Sequence, residues 1–481
     1  MNDTDVLALL PLLLVAVTAL AAMLAIAVRR SHLLTLSFAL AGLGAAFVSL
    51  WVAAPLAPRQ VTALLIVDQY ALFYVGLIVA ATAAVAMLAY GYFERREGNP
   101  EEFYILLLVA AFGAAILVAS SHFASFFLGL EILSVSLYAL ASYPQTRKLP
   151  LEAGVKYLIL AASSAAFLLF GMALIYAELG TMEFARMAEL LAGAIQLHPT
   201  PLLAGMALII TGIGFKLAVV PFHLWTPDVY QGAPAPVTAF IATVSKGGMF
   251  ALLLRYFYVG GGYRFGTVFV VFGIIAVASM VAGNLLALLQ DNVKRILAYS
   301  SIAHMGYLLV AFQAGGPLAA EAASFYLVAY FITTLGAFGI VTVLSPGDRD
   351  ADALSDYRGL FWRRPMLAAI FTLMLLSLAG IPLTAGFMGK FYIVAAGASA
   401  AMWALILILV VSSVIGLFYY LRIVATLYAG LDPPLGVSTA MPPLPLAGSC
   451  VLAALTLLLL WFGVYPAPLL GVIRTAMASL T

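Results

Sequence analysis

Four residues of the 481-residue chain stand where charge is expensive: Glu131, Lys216, Lys246 and Lys390 lie inside long apolar stretches. Lys156 sits in another, and four of the six lysines are therefore in predicted membrane spans. A charge at mid-bilayer costs at least about 2.5–3.5 kcal/mol, so such residues persist when paired, solvated or used. A structural ion pair would account for Glu131 and one lysine, but it leaves three bases over. A lysine removed from water gives up its proton more readily, and a nearby carboxylate reverses that tendency. A row of buried lysines headed by one movable carboxylate therefore has the make-up of a proton relay. Lys156 is open to a simpler account, because Glu152 precedes it by one helical turn and could pair with it. His223 and His304 also fall in the apolar stretches, as relay members or as packed, hydrogen-bonded imidazoles. Thr243, Ser245, Tyr299, Ser300 and Ser301 could hold bridging water.

The elements that must carry these residues are membrane helices. The chain is 65% hydrophobic and 9% charged, with mean hydropathy +1.13, against roughly 25% charged residues in soluble proteins. A spanning helix takes about 20 apolar residues. That rule predicts fourteen spans: 6–28, 33–55, 67–93, 103–121, 122–143, 151–178, 201–226, 233–258, 265–290, 297–315, 318–345, 366–398, 401–429 and 447–473. Positive charge follows the first apolar run rather than preceding it, so the first helix is expected to be kept. The stretch 181–199 has helical spacing and suits the membrane interface.

Basic residues orient the bundle. One face carries thirteen: Arg29, Arg30, Arg95, Arg96, Arg147, Lys148, Lys294, Arg295, Arg349, Arg358, Arg363, Arg364 and Arg422. The other carries five: Arg59, Arg186, Arg255, Arg264 and Arg474. The richer face is expected to be cytoplasmic, which puts both termini outside, in the periplasm if the source is a Gram-negative bacterium.

Two spans are interrupted beside their lysines. The seventh reads GIGFKLAVVPFHLW, with Pro221 five residues after Lys216; the twelfth reads SLAGIPLTAGFMGKFY, with Pro382, Gly386 and Gly389 before Lys390. Proline removes a backbone donor and clashes with the preceding turn. Matching interruptions point to an inverted repeat with an ion site at the breaks. Spans 4–8 and 9–13 form two units of five, each with its fourth member broken. The expected organisation is an N-terminal three-helix segment that serves docking (1–99, with Asp68 a further candidate), a first five-helix repeat (100–260), an inverted second five-helix repeat (261–430) and a terminal helix (431–481).

The composition also excludes chemistries. A net charge of +2 argues against a nucleic-acid binder. The single cysteine, Cys450, cannot build a disulfide framework or hold an iron–sulfur cluster. No GxGxxG or P-loop pattern is present, and the five histidines lack haem or zinc spacing.

Five segments carry a resemblance: SFFLGLEILSVSLYAL, YLILAASSAAFLLFG, GIGFKLAVVPFHLWTPDVYQGAPAPVTAFIATVSKGG, DNVKRILAYSSIAHMGYLL and GIPLTAGFMGKFYI. Over about residues 100–430 the chain resembles the antiporter-like subunits of respiratory complex I, the NADH-quinone oxidoreductases. Its length and the wording around 162–170 are most similar to the subunit N family. Subunit L carries a long C-terminal arm, and subunit M usually has glutamate in place of Lys390. The resemblance implies an all-α polytopic fold and proton translocation coupled to electron transfer from NADH to quinone. It implies that Glu131 pairs with Lys216, that Lys246 is the central relay lysine, that Lys390 serves the second half-channel, and that Lys156 lies near the first pair. It places FMN, iron–sulfur clusters and the quinone site in partner subunits, with subunits M, K and J and the L side as neighbours. The alternatives are a multisubunit sodium/proton antiporter without a redox partner, and an inert membrane scaffold.

Overall fold

The computed structural model describes residues 2–96, 98–143, 147–192, 198–261, 266–430 and 445–480. Arg264, counted above among the bases of the poorer face, lies outside the described residues, as do parts of the 181–199 stretch and of the 431–481 segment.

The order is helical almost throughout. An N-terminal group comprises α1 (Asp3–Ala8), α2 (Leu10–Val28), α3 (His32–Ala53) and α4 (Gln69–Phe93), with a two-residue-strand hairpin, Arg59–Gln60 and Ile66–Val67, between α3 and α4. Then come α5 (Glu101–Ala119), α6 (Phe123–Ala141), α7 (Lys148–Leu179), the short α8 (Phe184–Ala192), α9 (Pro199–Leu217), α10 (Trp225–Gly232), α11 (Ala235–Phe240) and α12 (Lys246–Val259). The second half holds α13 (Gly266–Leu288), α14 (Val293–Ala314), α15 (Gly316–Leu344), the one-turn α16 (Leu360–Arg363), α17 (Pro365–Ala379), α18 (Ala385–Ser399) and α19 (Trp403–Tyr428). The chain closes with α20 (Leu446–Val464) and α21 (Ala467–Met477).

Among the described residues thirteen helical stretches are long and apolar enough to cross a membrane. The shorter α17 and α18, on either side of residues 380–384, together cover the twelfth predicted span, 366–398. The last span is shorter than expected: Pro466 follows α20, and the chain restarts as the separate α21. A proline there cannot continue the backbone ladder.

Helix pairing in residues 101–259 recurs in 266–428. The first two spans of each unit pack together, α5 on α6 and α13 on α14, and the third packs on the broken fourth, α7 on α9 and α15 on α18. Gly113 and Gly129 in one pair, and Gly283 and Gly306 in the other, meet the partner's backbone with no room for a side chain. These contacts bring the helix axes close, as small residues do in membrane bundles. The units differ in cover: α7 and α13 expose apolar faces, whereas α11, α12, α14 and α15 form the buried centre of the chain.

Two basic residues are placed differently from the loop count. Arg255 is inside α12, 2% exposed, and donates both terminal nitrogens to Asp68 at 2.7 and 2.8 Å, with its Nε on the Val118 carbonyl. It leaves the tally of surface bases and ties α12 to the N-cap of α4. Lys294, at the basic end of α14, is fully buried.

Candidate functional site

The breaks come first, because they set the lysines. α9 ends at Ala218, which adopts the left-handed conformation (φ 60°), and the Trp225 indole donates back to the Phe215 carbonyl at 3.0 Å. The Ser279 hydroxyl of α13 takes the freed Val220 N–H at 2.9 Å. α17 ends at Gly380 (φ 88°), and α18 begins with Thr384 as its N-cap. Helix ends leave carbonyls without intrahelical partners, and the C-terminal end is the negative pole of the helix. Lys216 lies in the last turn of α9. Lys390 reaches from α18 back to the end of α17, donating to the Leu378 and Ala379 carbonyls at 2.9 Å each and to Ser413 Oγ at 2.7 Å. Both lysines of the broken spans therefore sit at a negative half-helix end.

Lys216, Lys246 and Lys390 are 3%, 0% and 8% exposed. Lys216 donates to Ser134 Oγ at 2.9 Å and Tyr157 OH at 3.1 Å. Glu131 stands one turn before Ser134 on α6, but it forms no ion pair with Lys216. One of its carboxylate oxygens is buried without a hydrogen-bond partner. The direct pairing implied by the resemblance is thus absent from this structure: serine and tyrosine hydroxyls occupy the ammonium instead.

Lys246 follows a π turn, Ile241–Ser245, that joins α11 to α12. Such turns leave the ordinary backbone ladder locally and recur at functional sites. Its ammonium donates to Ser301 Oγ at 2.6 Å, and Ser301 bonds Tyr330 OH at 2.7 Å. His304, one turn along α14, is 3% exposed. Its Nδ1 meets Tyr326 OH at 2.6 Å and its Nε2 meets Tyr420 OH at 3.1 Å. Ser300 also bonds Tyr420 OH. Each of the three buried lysines lies over a tyrosine ring: Lys216 over Tyr157 at 5.5 Å, Lys246 over Tyr230 at 5.4 Å and Lys390 over Tyr307 at 5.2 Å. A ring face attracts a cation without offering it a base.

The structure therefore gathers Glu131 and Lys216 at one station, Lys246 at a second, His304 at a third and Lys390 at a fourth, along the buried centre. His223 is buried at the α9–α10 break, with Nδ1 unpartnered. Lys156 does not join this row. It is 45% exposed and bonds Glu152 at 2.8 Å and Asp228 at 3.0 Å, the first being the one-turn pair open from the sequence. Asp228 also takes Arg295 at 2.8 Å. Burial opposes its charge, but Arg295 and Lys156 hold its carboxyl below the usual range.

Of the predicted hydroxyl group, Ser300 and Ser301 are bonded into the row, while Thr243 turns back to the Ala239 carbonyl at 2.6 Å. The tyrosines were not singled out from the sequence. A signal exists in Tyr326 and Tyr330, one turn apart in a predicted span and each polar-tipped.

Residues 120–416 match the family described as NADH:quinone oxidoreductase/Mrp antiporter, TM. The chain is 54% identical to the NADH-quinone oxidoreductase subunit N of Nitrosospira multiformis, over 99% of this chain and 97% of that protein. A chain of respiratory complex I from Thermus thermophilus matches at 32% identity and TM-score 0.82, covering 97% of this chain and 99% of that one. A chain of the Mrp complex from Dietzia shares the fold at 22% identity and TM-score 0.86, covering 100% and 98%. The chain belongs to the NADH:quinone oxidoreductase/Mrp antiporter transmembrane family, and within it to the NADH-quinone oxidoreductase subunit N proteins.

Proposed function

We propose that this chain is the subunit N of a proton-translocating NADH:quinone oxidoreductase and that Glu131, Lys216, Lys246, His304 and Lys390 form its proton relay. The observation that carries the reading is the row of three buried lysines, none of which contacts a carboxylate. An ammonium locked to a carboxylate is a strut; one held by hydroxyls and carbonyls exchanges its proton with whatever acceptor reaches it. Lys216 is the switched member, because Glu131 acts on it from a distance that a small helix movement changes. Drawing Glu131 in retains the Lys216 proton, and moving it out releases the proton towards Lys246 and Lys390. Translocation of one proton against 100 mV costs about 2.3 kcal/mol, which electron transfer in partner subunits supplies.

Those partners would hold FMN, the iron–sulfur clusters and the quinone site. Subunits M, K and J and the L side would be the neighbours. The basic face would be cytoplasmic and both termini periplasmic, in a bacterial inner membrane. Residues 1–99 would serve docking, 100–260 and 261–430 the two half-channels, and 431–481 the closing helix. His223 belongs to the entry of the first half-channel in this scheme. Lys156, with Glu152 and Asp228, would serve as a surface acceptor ahead of it.

The test is purification of the tagged chain from native membranes in mild detergent, with assay of NADH oxidation by quinone and of iron–sulfur electron-spin signals. Co-purifying activity and clusters support the proposal, since one cysteine cannot hold a cluster. A clean preparation without redox centres, joined by sodium-dependent proton exchange, would replace it with the antiporter.

A further inference from the structure

Resting on the relay proposed above, we infer that Tyr420 and Tyr326 pass the proton into and out of His304 and make it a one-proton step, through the chain Ser300–Tyr420–His304–Tyr326. Three helices build it. α14 supplies Ser300 and His304 one turn apart, α19 supplies Tyr420 and α15 supplies Tyr326. The bonds run Ser300 Oγ to Tyr420 OH, Tyr420 OH to Nε2 at 3.1 Å, and Nδ1 to Tyr326 OH at 2.6 Å. All four residues are buried.

Both ring nitrogens face a hydroxyl. A neutral imidazole has one N–H and one lone pair, so one tyrosine donates to the ring while the other accepts from it. The ends of the chain lie beside the two flanking lysines. Ser300 is next to Ser301, the acceptor of Lys246, and Tyr326 packs against Gly389, the residue before Lys390.

The transfer balances as follows. A proton arrives on Ser300 Oγ, and the Ser300 hydroxyl proton passes to Tyr420. The Tyr420 proton passes to Nε2, Nδ1–H passes to Tyr326, and Tyr326 gives its own proton to Lys390, which is neutral before the step. One proton has entered, one has left, and His304 has exchanged tautomer. Every bond in the chain is then reversed, so a second proton cannot follow until the hydroxyls and ring turn back. Concerted exchange also avoids an imidazolium beside an ammonium, that of Lys246 before the step or of Lys390 after it, which would repel it.

The experiment uses the intact complex in liposomes, with NADH oxidation and dye-reported proton uptake measured together. Tyr326→Phe and Tyr420→Phe each remove a link that carries the proton and should slow uptake by at least about tenfold. Each should also enlarge the solvent deuterium isotope effect, because the His304 step becomes limiting. His304→Gln keeps a donor and an acceptor but cannot exchange tautomers, so it should be slow as well. Tyr74→Phe removes a buried hydroxyl bond to Ser324 on the same α15, at 2.8 Å, and should leave uptake and isotope effect unchanged. If Tyr326→Phe fails to assemble, Tyr420→Phe decides alone. Tyrosine variants that match Tyr74→Phe while His304→Gln stays slow would overturn the tyrosines' part in the transfer and leave the relay standing. Full uptake by His304→Gln would overturn the tautomer step. Full uptake by both His304→Gln and Lys246→Met would remove the relay itself.

Discussion

The Nζ of Lys390 lies 2.9 Å from the Ala379 carbonyl, across the gap that divides the twelfth span. A lysine of the second half-helix thus completes the end of the first. Lys216, its counterpart in the seventh span, is held by two hydroxyls instead, while the carbonyls at the end of its half-helix are met by the Ala218 and Val219 amides and the Trp225 indole. The two lysines share a place in the fold but not a mode of restraint: carbonyls hold one ammonium, and hydroxyls hold the other.

Lys390→Met should therefore cost stability as well as transfer. It leaves the Leu378 carbonyl without its side-chain donor in a buried break, and an unmet buried group costs about 1–3 kcal/mol. Thermal unfolding of the complex should show the loss, with uptake lowered in the assembled fraction. An unchanged unfolding temperature would mean that the break holds without the lysine.

Glu131→Gln should behave in the opposite way. The carboxylate makes no ion pair, and one of its oxygens is already unpartnered, so assembly should be normal. Proton uptake and NADH oxidation should fall together, because the switch on Lys216 is lost. Normal uptake in assembled complex would end the switching role.

A second charged group lies at the basic end. Asp350 takes Lys294 at 2.7 Å, Arg96 at 3.0 Å and the Tyr92 hydroxyl at 2.6 Å. Lys294 also donates to the carbonyls of Gln231, in the last turn of α10, and of Ala233, just after it. Burial opposes the Asp350 charge, but Lys294 and Arg96 outweigh it and hold the carboxyl below the usual range. A folded value below the unfolded one gives stability that is complete at neutral pH and lost as acid takes the pH below about 4. Hydrogen exchange in residues 345–353 should stay slow down to that point and rise below it. Asp350→Asn should show the fast exchange already at pH 7.

Much of this was legible from hydropathy. Burying backbone in lipid requires long apolar helices, so the spans, both breaks and the interior lysines follow from local composition. What was not legible is which polar groups meet. Arg255 reads as a loop base because it nears the end of a span, yet its partner Asp68 is far away in sequence. Tyr326, Tyr330 and Tyr420 read as packing aromatics, since only the folded bundle turns their hydroxyls onto His304 and Ser301. Glu131 and Lys216 share a station, but no spacing rule tells a contact from an approach.

Asp68→Asn or Arg255→Met should each weaken the tie between α4 and α12 by about 3–5 kcal/mol, the usual cost of stranding one member of a buried pair. The double variant should recover part of that loss. Thermal stability of the four proteins checks it; additive losses would mean that the pair contributes no coupling.

The central claim is that the buried lysines carry protons, and Lys246 tests it most directly, being fully buried with a single hydroxyl partner. Proton uptake per NADH oxidised should be measured in liposomes for Lys246→Met in fully assembled complex. The account predicts that uptake through this subunit is lost and that protons moved per NADH decline, or that turnover stalls with them. Unchanged stoichiometry and unchanged turnover would contradict it.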